Sequence, residues 1–223
     1  MKRLFRGAPP LCLAQFRPGR DNWSVISSHG LTNEIWEKLN IMQGGFCAYC
    51  ECQLGEDNTK RHVEHFVRKG QDPDVTFDWN NLFGSCNNPN RCGNYKDEHP
   101  AAKSIDIAKV CKPDQMDPSE IILFLNSGEV RARSDLNQKN KELADNTIAV
   151  FNLNGDSTLE NSRKAAIAGE KRLADEYWEM LAGDDSGELA QLLEQELHKA
   201  LERIKVSQHS TALQHLWEYN EQF

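Results

Sequence analysis

The sequence predicts an α+β fold, with short strands and two helices in its first part and a mostly α-helical C-terminal region. Short apolar runs bounded by turn residues lie between residues 46 and 133, as is typical of β-hairpins. After residue 136, Ala, Leu, Glu and Lys recur at helical spacing, which predicts helices near 138–151, 157–181, 187–206 and 210–220. The turn-rich segment Gly183–Gly187 is the clearest break between them.

Four local elements are predicted ahead of the helical region. They are a helix from Thr32 to about Gln43, a hairpin over Phe46–Phe66 whose returning strand is Arg61–Phe66, a short helix that begins near Gly93, and a second hairpin made by Ile121–Leu125 and Val130–Arg133. The sequence therefore divides into an irregular arm at 1–30, a central domain at 31–135 and a helical region at 136–223.

Four cysteines form two pairs, Cys47/Cys50 and Cys86/Cys92. Four thiolates can close a tetrahedral zinc site, with Zn–S distances of about 2.3 Å. The second pair is more widely spaced than usual, and a redox pair or buried free thiols are the alternatives. Because the N-terminus lacks a signal-peptide pattern, we expect a cytoplasmic protein, in which seven cysteines favour metal ligation or free thiols over disulfides. We predict a structural Zn²⁺.

Between the cysteine pairs lie an acid, a histidine and an asparagine, Glu64, His65 and Asn81, and Asn94 follows the second pair. These residues suit one hard divalent cation, Mg²⁺ or Mn²⁺, with a general base beside it. A neutral imidazole can take a proton from water at neutral pH, and phosphodiester hydrolysis needs such a group. Neighbouring residues of a strand point to opposite faces, so Glu64 and His65 need a bend or bulge to share one small site.

Cations near these residues are candidates for phosphate contacts. The candidate substrate-binding residues are His62, Arg68, Lys69 and Lys96. His62 could instead be a metal ligand or a half-buried strand residue, and a helical lysine such as Lys96 is more often solvated.

Several motifs carry a family resemblance: Glu64-His65-Phe66, Asp78–Phe83, Ser85-Cys86 and Cys92-Gly93-x-x-Lys96. They resemble the HNH nuclease subunit of Septu and retron-associated anti-phage systems. The resemblance implies a zinc-stapled ββα-metal core in which His65 is the general base, Glu64 a ligand of the catalytic metal, Asn81 a brace for the loop and Asn94 the second metal ligand. It also implies that the reaction leaves a 5′-phosphate and a 3′-hydroxyl.

The same resemblance implies partners. They are an ATPase subunit of the ABC/SMC-like type and, in retron versions, a reverse transcriptase with its DNA–RNA hybrid. Under this interpretation the basic arm at 1–30 is a candidate docking segment.

The sequence departs from the family pattern at two places. An Arg-Pro-Lys continuation is expected after Phe66, and the chain has Val67-Arg68-Lys69. Gly93 occupies the place where many HNH proteins have the final Asn or His, so Asn94 lies one residue late and His99 is a possible substitute.

Charge bears on the substrate. The formal net charge is −8, and the acidic surplus lies after residue 100, while the first twenty residues hold five cations and no acid. A neutral catalytic half with a basic arm is compatible with nucleic acid, and help from a partner is expected. DNA is the favoured substrate. The alternatives are an RNA nuclease acting on tRNA in a retron system and a non-catalytic zinc-binding adaptor.

Overall fold

The computed structural model describes residues 1–57, 59–184 and 187–219. The helices are α1 (Ser24–Ser28), α2 (Thr32–Gln43), α3 (Cys92–Glu98), α4 (Pro100–Lys103), α5 (Gln138–Val150), α6 (Ser157–Gly183), α7 (Ala190–Ile204) and α8 (Ser210–Glu218). The strands are β1 (Arg61–His65), β2 (Leu82–Cys86), β3 (Ile122–Phe124) and β4 (Val130–Ala132). The α+β prediction is confirmed as a mixture of helices and small sheets. Asp185 and Ser186 of the predicted break, and residue 220 of the last predicted helix, lie outside the described residues.

Strands β1 and β2 pair antiparallel, from Arg61 opposite Cys86 to His65 opposite Leu82. Helix α3 follows β2 and packs against it, so that the three elements form a ββα unit. Helix α2 packs on β2 as well, and the amide of its last residue, Gln43, hydrogen-bonds both backbone groups of Gly84. The buried Gln43 side chain thus extends the hydrogen bonding of a strand at the edge of its sheet.

The predicted hairpin over Phe46–Phe66 is wrong in its pairing. Phe46 makes an isolated bridge to Gln53, and the loop between them is a tight turn that carries the first cysteine pair. Strand β1 takes its partner from the chain beyond the polar loop, at β2. The chain reverses direction between Phe46 and Gln53, so this segment forms no extended strand that could pair with β1. The cysteine loop instead makes a backbone hydrogen bond to β2, from Ala48 N–H to the Gly84 carbonyl, 3.0 Å long.

The first thirty residues pack on the domain. They contain a 3₁₀ turn at Leu11–Gln15 and helix α1, and otherwise have no regular structure. Met1, Leu4 and Ile26 are almost fully buried in the core, and Phe16 stacks on Phe77 at 5.3 Å. Partner docking by this segment stays a prediction. A partner could contact only the outward-facing side chains, because the others are buried in the core.

The second hairpin and the helical region complete the fold. Strands β3 and β4 pair antiparallel as predicted, and α8 packs against β3, α6 and α7. The Tyr49 ring of the first cysteine loop stacks on Phe151, at the end of α5, with ring centroids 3.8 Å apart. Buried residues from all three predicted segments therefore form one continuous core. Within the described residues, no helix combines the length and apolar character needed to cross a bilayer.

Candidate metal centre and catalytic site

The four paired cysteines converge at one point. The sulfur atoms of Cys47, Cys50, Cys86 and Cys92 all lie within 4.8 Å of one another and are buried. Cys50 Sγ and Cys86 Sγ are 3.8 Å apart. A tetrahedral ion with Zn–S distances of about 2.3 Å places its sulfurs about 3.8 Å apart. The residues present thus fit a metal such as zinc.

Backbone geometry aims these sulfurs inward. The Cys86 N–H points at Cys47 Sγ, 3.4 Å away, and Cys92 has a φ of 57°, in the left-handed region, at the start of α3. Burial opposes the ionisation of Cys47, but hydrogen bonds from the three neighbouring thiols lower its pKa overall. A bound cation favours the thiolate form of every ligand.

Glu64 lies on β1, 2% exposed, with both carboxylate oxygens in contact with a cationic or polar group. Its Oε1 is 2.8 Å from Lys96 Nζ and its Oε2 is 3.2 Å from His62 Nε2. Burial by itself raises the pKa of Glu64, but the charge of Lys96 and the hydrogen bond with His62 outweigh burial and hold the pKa below its usual value. Glu64 is therefore a buried, ionised carboxylate.

Gly93 makes room for this arrangement. A Cβ atom at position 93 would lie 2.3 Å from Glu64 Oε2 and 2.7 Å from His62 Nε2. Glycine at the start of α3 thus lets the carboxylate and the imidazole approach the helix backbone.

His65 is on the opposite face of β1 from Glu64, since the register with β2 is continuous and the strand has neither the bend nor the bulge expected between the two residues. Its Nε2 lies 3.0 Å from the Thr76 carbonyl oxygen. A carbonyl only accepts hydrogen bonds, so Nε2 carries the proton and Nδ1 keeps its lone pair. Burial and then the positive charge of Lys69 lower the pKa of His65 to about 4. The ring is therefore neutral at pH 7.

Asn81 braces the loop that supplies this carbonyl. Its side chain accepts from Val67 N–H at 2.7 Å and donates to the carbonyls of Val67 and Val75, at 2.9 and 3.2 Å. The buried amide thus ties both ends of the loop to the start of β2 and keeps Thr76 beside His65.

Asn94, Arg68 and His99 each contact other groups of the protein. Asn94 donates to Asn87 Oδ1 at 2.9 Å, and among the described residues it makes no hydrogen bond with Glu64. Arg68 donates to the carbonyls of Lys96 and Ala102, so its guanidinium ties the end of α3 to the loop after β1. His99 stacks on Tyr95 at 4.3 Å.

Lys96 and Lys69 differ in accessibility. Lys96 has no exposed surface, and its ammonium also donates to the His65 carbonyl, at 2.9 Å, and to Asp97. Lys69 is exposed, and its Nζ lies 5.9 Å from the ring centroid of Trp23. Of the two lysines, only Lys69 is in a position to reach a ligand in solution.

Three residues of the site were not singled out in the sequence. Thr76 orients His65, Asp97 binds Lys96, and the Trp23 ring meets the His65 ring edge-on at 4.5 Å. Thr76 acts through its backbone, which no sequence motif records. Trp23 lies in the irregular arm, far from His65 in the chain, so only the fold brings the two together.

Two known proteins share sequence similarity with the chain. Over 100 residues it is 33% identical to the Septu protein PtuB of Bacillus thuringiensis, a match that covers 42% of this chain and 36% of that protein. The chain is similar to PtuB. Over 134 residues it is 23% identical to a protein of Vibrio cholerae serotype O1 biovar El Tor, named as a candidate HNH endonuclease of retron Vc95.

The second match covers 60% of this chain and 63% of the Vc95 protein, so less than two thirds of either relative is matched. No protein-family model matches the chain. The resemblance to PtuB and to retron-associated proteins, predicted from the motifs, is confirmed.

Proposed function

We propose that this protein is a metal-dependent HNH endonuclease that hydrolyses phosphodiester bonds of nucleic acid, with DNA as the favoured substrate. It acts in the cytoplasm as the effector of an anti-phage defence complex, with an ATPase partner of the ABC/SMC-like type. The names of the two relatives support the class of activity and the setting. The observation that carries the proposal is the oriented, neutral imidazole of His65, bonded through Nε2 to the Thr76 carbonyl.

His65 acts as the general base in this proposal. Because Nε2 is held as a donor to Thr76, a water molecule can give its proton only to Nδ1. Asn81 and the Thr76 carbonyl fix the ring, so the proton acceptor is in place before the substrate arrives. The hydroxide formed in this way attacks the phosphorus atom, and the 3′-oxygen leaves.

The catalytic cation is proposed to bind at Glu64. A six-coordinate ion with oxygen ligands at about 2.1 Å holds neighbouring ligands about 3 Å apart. Glu64 Oε2 and His62 Nε2 are 3.2 Å apart, so this pair fits a divalent ion, with Mn²⁺ matching the mixed ligands better than Mg²⁺. Held by Glu64 and His62, a cation would neutralise charge on the leaving oxygen of a phosphodiester that also reaches His65 across the edge of β1. Asn94, expected as the second ligand, faces Asn87 instead, which makes His62 the better candidate.

Replacement of His65 tests the proposal. We expect His65→Ala to abolish metal-dependent cleavage while circular dichroism shows an intact fold, because the base is lost and the zinc ligands are untouched. His198→Ala, on the exposed side of α7, is the matched control and keeps full activity. Cleavage is measured with the purified protein together with its partner. Activity that survives in His65→Ala would refute the assigned base.

A second candidate substrate follows from the retron relative. An effector in such a system could cleave RNA, for example tRNA, and would then have a reverse transcriptase and its DNA–RNA hybrid as partners. Gels of both nucleic acids after induction in cells separate the two substrates. A wild-type complex that cuts neither would favour the non-catalytic zinc adaptor.

A further inference from the structure

A cleft of about 460 Å³ opens beside His65, between the N-terminal segment at 19–23 and the loop at 69–76. Two of its lining residues touch His65 directly. The Thr76 carbonyl holds the imidazole Nε2, and the Trp23 ring lies 4.5 Å from the imidazole at an interplanar angle of 87°. His65 itself does not line the cleft, so an occupant is separated from the proposed base by Trp23 and the Thr76 backbone. The volume is within the range of about 300–1,000 Å³ that is usual for ligand sites.

The cleft offers an aromatic ring and a free cation. Trp23 is half-buried, and its ring is tilted by 32° against Phe77 at 5.8 Å, so packing fixes its orientation. Lys69 is exposed, with its Nζ 5.9 Å from the Trp23 ring centroid. Among the described residues of the cleft, Arg20 is paired with Asp21, which leaves Lys69 as the lining cation without a carboxylate partner.

An aromatic side chain beside a lysine is the combination that binds a base and its phosphate in single-stranded nucleic acid. Stacking needs the face of the base, and within a duplex both faces are covered by neighbouring base pairs. A nucleotide that stacks on Trp23 must therefore be unpaired.

We propose that this cleft is a nucleotide subsite, in which Trp23 stacks on an unpaired base next to the scissile phosphate and Lys69 binds the adjoining phosphate. The inference rests on the proposed nuclease function and narrows its substrate to single-stranded nucleic acid or an unpaired position in a duplex. The N-terminal segment is thereby part of the substrate site. DNA and RNA share this chemistry, and oligonucleotides of both kinds distinguish them.

Binding of the full-length protein to short labelled oligonucleotides tests the subsite, without added Mg²⁺ or Mn²⁺ so that no hydrolysis occurs. One probe is an oligothymidylate, and the second is an abasic strand of equal length. The difference between the two affinities measures the contribution of the bases separately from that of the phosphates. The oligouridylate serves as the RNA probe. Trp23→Phe keeps an aromatic face, Trp23→Leu keeps only apolar bulk, and Lys69→Ala removes the cation. Lys109→Ala, paired with Glu142 outside the cleft, is the control for charge.

We expect the wild-type protein and Trp23→Phe to bind the oligothymidylate roughly five- to 150-fold more tightly than the abasic strand. Trp23→Leu loses this preference without changing the salt dependence. Lys69→Ala lowers the slope of log affinity against log salt concentration by about 0.7, and Lys109→Ala does not.

Equal wild-type affinities for the two strands, or no binding to either, would overturn the subsite even if Trp23→Leu failed to fold. An unchanged preference in a folded Trp23→Leu would overturn it as well. Failure of the nuclease proposal would give a different result. The wild-type complex would still bind the strand with bases more tightly than the abasic strand, but it would cleave no nucleic acid.

Discussion

Lys96 is fully buried, whereas a lysine in a helix is usually exposed to solvent. It has no exposed surface, and its Nζ lies 2.8 Å from Glu64 Oε1 and 2.9 Å from the His65 carbonyl. The ammonium thus contacts both strand residues of the proposed site. These contacts favour a positioning role, in which Lys96 holds Glu64, over the phosphate contact predicted from the sequence.

Lys96→Met should destabilise the protein by about 3–5 kcal/mol, because it leaves the buried Glu64 carboxylate without its counterion. Urea unfolding measures the change. Lys199→Met is the matched control, since Lys199 makes an exposed pair with Glu196 worth about 0–1 kcal/mol. Adding Glu64→Gln to Lys96→Met should recover part of the stability by removing the unpaired charge. A Lys96→Met protein as stable as the control variant would contradict the pairing.

Gly93→Ala should reduce cleavage by roughly 100-fold while zinc content stays unchanged. The new Cβ would lie 2.3 Å from Glu64 Oε2, and because Lys96 holds the other oxygen, the carboxylate has to move away from His62. Gly169→Ala is the control, because a methyl group at this position of α6 would meet no heavy atom within 4 Å apart from its chain neighbours and the backbone of α6 itself. That change should stabilise the protein by about 0.5–1 kcal/mol and leave cleavage intact. Full activity in Gly93→Ala would remove Glu64 and His62 from the proposed site.

At the scale of elements, the cysteine cluster holds the tight loop at Phe46–Gln53 against β2 and α3. Cys50→Ser should lower zinc content from about one ion per chain and unfold this part of the protein, because structural zinc binding contributes about 10–16 kcal/mol. Cys52→Ser is a close control, since Cys52 lies two residues away and outside the cluster. Zinc analysis and circular dichroism measure the effects. A well-folded, zinc-free Cys50→Ser protein would contradict a structural metal.

Elements with local signals could be predicted from the sequence. Helix α2 begins at Thr32 and ends at Gln43 as predicted, because its apolar stripe and the glycines after it are local features. The pairing of β1 with β2 could not be predicted in this way, since partner choice depends on where the intervening loop folds. A cysteine turn followed by a strand is equally compatible with a local hairpin.

For the site, the sequence predicted which residue types take part, but it predicted their spatial arrangement only in part. Alternation along β1 already places His62 and Glu64 on one face and His65 on the other. The burial of Lys96 and the proximity of Trp23 to His65 could not be predicted, because both depend on contacts between segments far apart in the chain.

At the scale of the whole molecule, the helical region supplies contacts that the loop at Phe46–Gln53 lacks on its own. Phe151 stacks on Tyr49 and accepts the Cys92 N–H at 2.9 Å through its carbonyl. His209, just before α8, donates from Nδ1 to the Cys50 carbonyl at 3.0 Å. Glu51 accepts from Ser210 Oγ and Thr211 N–H, at 2.8 and 2.9 Å. These contacts hold the loop at Phe46–Gln53 against the C-terminal end of α5 and the start of α8.

A fragment of residues 1–135 should therefore fail to form a stable zinc-bound domain, although it contains all four cysteines. It loses the Phe151 ring that stacks on Tyr49, and it leaves Glu51 Oε2 and the Cys50 carbonyl without their partners, at a cost of about 1–3 kcal/mol for each unsatisfied polar group. Zinc content and thermal unfolding of the purified fragment measure this. Co-expression with residues 136–223 should restore a zinc-loaded complex, which separates a lost interface from a generally insoluble fragment. A fragment that binds zinc without residues 136–223 and unfolds cooperatively would show that the metal-binding core folds independently of the helical region.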